Sequence, residues 1–436
     1  MSLRTQDGDV DADANGNQTE IPAGAGSPAD GDRCPTGDAN HAHSVAESQR
    51  VLVITGLAHK NERHYGPLAD VAGETTLVSL APVEGVDTAR NVTVPQVGPR
   101  LLRVVLLFVV ALLEARQNEY DAVASISLFP YGCYALGLKA MFGLPAHLGI
   151  IGIDLDHHAT QRYGPVVRWL FRRFDIVSVP GTDHAARLER CGVPAERIAW
   201  LTNPIDVETY RPEAADTVDD DSDSNSDSDF DSDDEDEDAA ADYDYNYDFV
   251  WVGRFGPEKD PHRFVAAMDA LESRRQNAEY TAVMVGDGAL HDEVAAHIRA
   301  RGLEDTIELA GWVDDPIDYY RCSRAFVLTS ERDALPLVLL EAMATGLAPI
   351  VPRVGSIPDA VTDGQNGIIV PDRQPETIAA AMERLLDEPE LRRSHASAAT
   401  EVRNSFSMAQ AGSDWARIVC AMAETGGSQH HSSSSR

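Results

Sequence analysis

From Arg50 onward the chain alternates between short runs of aliphatic, often β-branched residues and longer stretches whose apolar positions recur every three or four residues. The first run, RVLVITG (50–56), ends in glycine and has the look of a buried parallel strand. TTLVSLAP precedes a helix across 99–117, and YDAVASISL precedes another near 131–142. AHLGIIGID, FDIVSVPG and RIAWLTN follow as strands, separated by RYGPVVRWLFRR and TDHAARLERCG. After an interruption the alternation resumes with YDFVWVG, helix 261–275, YTAVMVG, helix 289–301, IELAGWV, helix 316–322 and AFVLTS. It continues through helix 336–345, APIVPRV, GIIV and helix 375–387. Repeated strand–helix–strand units predict an α/β chain with two doubly wound, Rossmann-like domains, at 50–210 and 246–405, facing a cleft. A C-terminal helix (406–425) and a polar tail (426–436) complete the reading.

Composition qualifies this picture at three places. Residues 1–49 lack periodicity and carry nine acids against Arg4 and Arg33, so they are expected to form a disordered acidic tail. Residues 216–248 hold 17 Asp or Glu and no Lys or Arg, so the stretch 211–245 is expected to be a disordered acidic linker or insertion. Its Asp-x-Asp steps are repeats rather than metal motifs, and deleting 216–242 should leave folding and nucleotide affinity nearly unchanged. The 13-residue run LLRVVLLFVVALL (101–113) is too short to span a bilayer and contains Arg103, leaving a helix covered by the sheet or one in contact with a membrane.

The net charge is −35, of which −11 remains outside the two acidic stretches. That argues against non-specific nucleic-acid binding, which needs a basic footprint. Only three lysines occur (Lys60, Lys139, Lys259), and an acidic, Lys-poor chain suits a salt-loving microbe. Five scattered cysteines without a C-x-x-C pair fit a reduced cytosol and disfavour a structural zinc site. The polar start, MSLRTQDGDVDADANG, is no signal peptide, so a cytoplasmic chain, peripheral on the inner membrane face at most, is expected.

Chemistry is expected beyond the carboxyl ends of the strands, where open parallel sheets bind ligands. SERDALPLVLLEAMATG begins at such an edge. Pro336 suits a first helical position, leaving the amides of Leu337 and Val338 as donors for phosphate at a positive helix end. Glu341 sits among Leu337, Val338, Ala344 and Thr345, a carboxylate in an apolar run with Asp333 eight residues before it. Sugar or ribose hydroxyls could satisfy it, as could an Arg within the fold. WVGRFGPEKD places Arg254 and Lys259 on another strand-end turn, either to neutralise a diphosphate or as solvated charges. VGDGALHDEV, with Gly286, is a glycine-bearing strand-to-helix turn short of the full dinucleotide fingerprint.

Taken in order, VGRFGPEKD, VGDG, LAG and SERDALPLVLLEAMATG resemble the motifs of the retaining glycosyltransferases of GT-B architecture called family 4, glycosyl transferases group 1. GSIPDAVTDGQNGIIVPDRQPETIAAAM and VSVPGTDHAARLERCGVPAERIAWLTNPIDVETYRP extend the resemblance over about residues 50–425, apart from the acidic run. It implies a retaining hexosyltransferase that moves a sugar from a nucleotide-sugar to a glycan or lipid-phosphate acceptor, without cofactor or divalent metal. Arg254 and Lys259 would hold the donor diphosphate, Leu337 and Val338 would offer amides to it, Glu341 would take the ribose, and Trp312 and Val313 would lie near the base.

Three positions depart from the pattern. The first Glu of the pair, which meets the donor sugar, falls on Asp333, withdrawing the charge by about 1.5 Å. Asp260 stands in place of Gly, and Pro204 replaces Gly in N-G-I-D. The shortened acid leaves open a chain that binds nucleotide-sugar or glycan as a catalytically weak or inactive scaffold, and nucleotide-sugar epimerisation is a third reading. In the N-terminal half the resemblance points to a histidine approaching the donor sugar, and His158 in GIDLDHHATQRYG is the candidate. The alternative is a loop that Asp154, Asp156, His157 and His158 merely cap. RYGPVVRWLFRRF, with Arg162, Arg168, Arg172 and Arg173, either meets anionic lipid or faces solvent.

Overall fold

The computed structural model describes residues 39–56, 61–150, 153–213, 245–275 and 280–433. The tail before Ala39 and the acidic run 214–244 lie outside these residues.

The first sheet contains β1 (Arg50–Thr55), β2 (Glu74–Ser79), β3 (Arg90–Thr93), β4 (Ala122–Ile126), β5 (Ala146–Gly149), β6 (Ile176–Val179) and β7 (Ile198–Trp200). All neighbours run parallel, in the order β3-β2-β1-β4-β5-β6-β7. The second sheet has β8 (Tyr247–Val252), β9 (Ala282–Val285), β10 (Ile307–Gly311), β11 (Ser323–Val327), β12 (Ala348–Pro352) and β13 (Ile368–Val370), parallel in the order β10-β9-β8-β11-β12-β13. Both orders reverse direction once, at β1/β4 and at β8/β11. Each reversal opens a crevice at the carboxyl ends of its strands.

Helices α1 (Ala39–Ala46), α2 (Asn61–Val71), α3 (Arg100–Gln117), α4 (Cys133–Phe142), α5 (Ile153–Asp156), α6 (Gly164–Phe171) and α7 (Thr182–Arg190) accompany the first sheet. α8 (Pro261–Arg274), α9 (His291–Arg301), α10 (Ile317–Arg321), α11 (Leu337–Ala344), α12 (Pro375–Asp387), α13 (Pro389–Ala399) and α14 (Val402–Ser405) accompany the second. The last helix, α15 (Met408–Ser433), crosses back to the first sheet. Its Trp415 Nε1 donates to the His64 carbonyl at 3.0 Å, and Asp414 accepts the Thr202 amide at 2.9 Å. Helices α3, α4, α6 and α7 pack on one face of the first sheet, and α1, α2 and α15 on the other.

Three expectations need correction. A helix lies within the stretch read as disordered tail: α1 buries Ala42 and Ala46, one turn apart, and Ala46 joins the cluster formed with α15. Two alanines give a weak periodic signal, so the packing partner decides the helix. The run 101–113 does form a helix, but the sheet covers only one stripe of it, where Leu107, Ala111 and Glu114 are buried. Pro336 is the residue before α11, in extended conformation (φ −73°, ψ 130°), so Leu337 opens the helix. The last turn of α11 closes with Gly346 at φ +92° donating to the Met343 carbonyl and Leu347 to that of Ala342.

Candidate functional site

The crevice of the second sheet lies between the loop after β8 and the loop after β11. Arg254 and Lys259 are on the first lip and Asp333 on the second. The Lys259 ammonium pairs with Asp333 Oδ2, which also accepts the Ser330 hydroxyl at 3.1 Å. Both side chains are largely enclosed, at 19% and 14% exposed. Beneath them Trp251 Nε1 donates to Thr329 Oγ1 at 2.9 Å, and that hydroxyl faces the carbonyls of Lys259 and Asp260, each at 3.0 Å. A buried indole thus positions the backbone that carries the lysine.

Arg254 is open to solvent, 72% exposed, and pairs with Glu258. Burial raises the Glu258 carboxyl, but its own amide, Arg254 and the nearby Lys259 outweigh this and hold it below the usual range. Both cations therefore act on one acid. The Glu258 carbonyl also accepts the Glu331 amide at 2.9 Å, tying the two lips together.

Gly286 explains the glycine turn in terms of packing. A Cβ there would lie 1.9 Å from the Gly253 carbonyl oxygen, and its φ of +136° favours glycine in any case. Its amide donates to Gly311 at 2.7 Å, and Phe255 donates to Asp287 at 2.9 Å, so this loop lies directly on the one bearing Arg254. Asp260 adopts a left-handed backbone (φ 49°, ψ 59°), the conformation that glycine takes at low cost. Its carboxylate binds Arg263 and Arg373, anchoring the loop to the start of α12.

Glu341 is buried, 7% exposed. One neighbour is a tyrosine: the Tyr320 hydroxyl lies 3.2 Å from the Val338 carbonyl and 3.5 Å from Glu341 Oε2. Burial, then the charge of Glu341, push the Tyr320 phenol well above its ordinary value. The Tyr210 phenol is also raised, chiefly by burial, then by Glu341, while Arg63 on α2 opposes the shift. Glu341 thus sits in a cluster that reaches toward the other lobe. The amides of Leu337 and Val338 open α11, with no preceding turn to accept them. Trp312 (71% exposed) and the half-buried Val313 follow β10 at the same carboxyl edge.

His158 lies on the first lobe, after β5, and its neighbours belong to that lobe. Its Nδ1 is 2.8 Å from the Tyr163 hydroxyl, and its ring meets Phe129 edge-on at 5.3 Å. The buried Asp154 accepts the Leu128 amide at 3.1 Å, and burial raises its carboxyl. The loop around His158 is therefore held by contacts within the first lobe. Among the described residues, the group able to gather a metal is His41, Cys420 and Glu424, on α1 and α15 rather than at either crevice.

The lobes touch where Thr182, opening α7, meets Asp359. The Thr182 amide donates to Asp359 Oδ2 at 2.7 Å. A Cβ on Gly181 would stand 2.2 Å from the Ser356 side chain, so that glycine is required for the approach. No periodic signal marks this bridge, because its partners lie 177 positions apart.

Two parallel-sheet lobes with facing crevices define the class: this is the GT-B fold of glycosyltransferases. Residues 232–402 match the family Glycosyl transferases group 1. The chain is 31% identical over 172 residues to alpha-D-kanosaminyltransferase of Streptomyces kanamyceticus, covering 39% of this chain and 44% of that one. It is 27% identical over 161 residues to the Escherichia coli UDP-Gal:alpha-D-GlcNAc-diphosphoundecaprenol alpha-1,3-galactosyltransferase, covering 37% and 42% respectively. The matches span less than half the length of these curated relatives. Anabaena HepE, solved with UDP and glucose, superposes with a TM-score of 0.65 at 16% identity, covering 87% of this chain and 100% of HepE. Sucrose-phosphate synthase of Thermosynechococcus elongatus gives 0.66 at 18% identity, covering 88% and 100%.

Proposed function

We propose that this protein is a retaining, family-4-type hexosyltransferase that moves a sugar from a nucleotide-sugar to a glycan or lipid-linked acceptor. The observation that carries the reading is the Lys259–Asp333 pair across the β8/β11 crevice, beside Arg254 and the opening of α11. A diphosphate entering there meets the Lys259 ammonium, the Arg254 guanidinium and two helix-end amides. As the bond from sugar to phosphate lengthens, negative charge collects on the departing oxygen, and these donors stabilise it. They take the place of a divalent metal, so none is required. The acceptor hydroxyl attacks on the leaving-group face, and the departing phosphate oxygen takes its proton. Asp333 faces the donor sugar, Glu341 the ribose, Trp312 and Val313 the base, and His158 approaches from the first lobe. The low lysine content supports a cell interior rich in salt, although the relatives named above are bacterial.

A second reading rests on the same pair. Asp333 is short, and it already neutralises Lys259, which favours a scaffold that binds nucleotide-sugar or glycan without turnover. A screen of nucleotide-sugars by saturation-transfer NMR and by hydrolysis separates the two. UDP-sugars come first, because HepE binds UDP. Saturable binding with hydrolysis supports the transferase, binding alone supports the scaffold, and neither signal with any donor overturns both.

A further inference from the structure

The helix α3 is apolar around most of its circumference; the fold buries the stripe at Leu107, Ala111 and Glu114 and half-buries its flanks, among them Val104, Phe108, Val110 and Leu112. The opposite stripe, Leu102, Val105, Val109 and Leu113, stands 41% to 54% exposed, and Leu101 reaches 77%. A helix apolar on all sides is normally enclosed, so a second covering is called for. The neighbouring helices continue the surface. α4 packs beside α3, with Tyr134 donating to the Val104 carbonyl at 3.0 Å, and ends in exposed Met141 and Phe142. α6 approaches α4, with Lys139 Nζ donating to the Arg173 carbonyl at 2.9 Å, and exposes Val166 and Trp169.

The charge on this face runs against the rest of the chain. Residues 96–118, 128–145 and 157–174 hold eight Lys or Arg, of which Lys139 is paired with Asp175, and a single acid, Glu114, whereas the whole chain has 36 basic and 71 acidic residues. Glu114 is buried and bound to Arg90, so it adds no negative charge to the surface. Arg162, Arg168, Arg172 and Arg173 are all exposed, and the Arg173 guanidinium lies over the Trp169 ring at 4.5 Å. Apolar side chains flanked by arginine, with an indole between them, fit a headgroup boundary carrying negative charge.

We propose that the outer face of α3, α4 and α6 docks on an anionic lipid surface. No helix among the described residues is long and apolar enough to cross a membrane, and one stripe of α3 is already held by the sheet. The helices therefore lie along the surface, with their apolar face toward the acyl boundary. Phe129 and Tyr163, both exposed, carry this face to the edge where His158 lies. An acceptor anchored in the same lipid would meet the first lobe there. The docking needs no sugar transfer, so it stands or falls apart from the proposed activity.

The test is flotation of the full chain with vesicles of phosphatidylcholine alone and of phosphatidylcholine mixed with phosphatidylglycerol, at low and at high salt. The wild type is expected to float with the anionic vesicles, about tenfold more weakly with neutral ones, and to lose part of that preference at high salt. Val105→Asp with Val109→Asp is expected to weaken binding to both vesicles about tenfold. Arg172→Glu with Arg173→Glu is expected to abolish the anionic preference, and circular dichroism checks that each variant is folded. Folded wild type that ignores anionic vesicles overturns the proposal. So does light scattering that finds a dimer which the Val105→Asp, Val109→Asp variant converts to monomer, because a second copy then covers the face.

Discussion

The ammonium of Lys259 and the carboxylate of Asp333, 74 positions apart, meet across the crevice of the second sheet. The pair needs little enclosure from elsewhere, because Ser330 and the Trp251–Thr329 contact fix its two backbones. Replacing Lys259 by Ala removes the enclosed cation on which the departing diphosphate would depend. Turnover is expected to fall about 10²- to 10³-fold. The melting transition should shift only slightly, because Asp333 keeps Ser330 as a donor. Hydrolysis rates and thermal melts check both halves, and an unimpaired variant would count against the site.

The same pair predicts a gain for Asp333→Glu. The added methylene carries the charge about 1.5 Å further, to where the family pattern places a glutamate. Misplacement on that scale can alter a rate by orders of magnitude, so turnover is expected to rise about tenfold with KM little changed. Steady-state kinetics on both forms decide. No turnover in either form would instead favour the scaffold.

Much of the fold was legible because most apolar runs fill strands buried on both faces, and glycines such as Gly143, Gly302 and Gly346 fall just past helix ends. β3 escaped notice because Arg90–Thr93 is a half-exposed edge strand with one aliphatic residue. α1 escaped because alanines alone carry its buried face. The candidate residues Arg254, Lys259, Asp333 and Glu341 could be named from the sequence one by one, since each sits in a local motif. Their partners could not: Tyr320 beside Glu341, Arg373 on Asp260 and Thr182 against Asp359 are tertiary pairings, to which periodicity is blind.

Gly286 offers a test of the loop packing independent of activity. An alanine there would put its Cβ 1.9 Å from the Gly253 carbonyl while holding φ at +136°. Backbone would have to move on one side or both. The variant is expected to lose more than about 3 kcal/mol or to fail to fold. Gly302 is the control: its φ is +66°, but nothing lies within 4 Å of an added Cβ. Gly302→Ala should cost only the left-handed backbone strain, about 1 kcal/mol. Urea unfolding of both variants measures the difference, and equal losses would refute the packing account.

His147 ties the stability of the first lobe to pH. It lies wholly buried in β5, with Nε2 2.8 Å from Ser178 Oγ and its ring edge-on to Trp415 at 4.9 Å. Burial pushes its pKa down from 6.5 to about 3. Between those values the unfolded chain binds a proton that the folded chain refuses, so stability is lost as pH falls. The slope is about 1.4 kcal/mol per pH unit once the unfolded histidine is protonated, or about 2 kcal/mol lost on reaching pH 5. His147→Asn cannot take that proton, so its stability should be lower at neutral pH but flatter on acidification. Many carboxylates titrate lower in this range, which makes the difference between the two proteins the informative quantity. Urea midpoints at several pH values between about 5 and 7 should converge for wild type and variant as the pH drops. Parallel curves would show that His147 accepts a proton without unfolding the lobe.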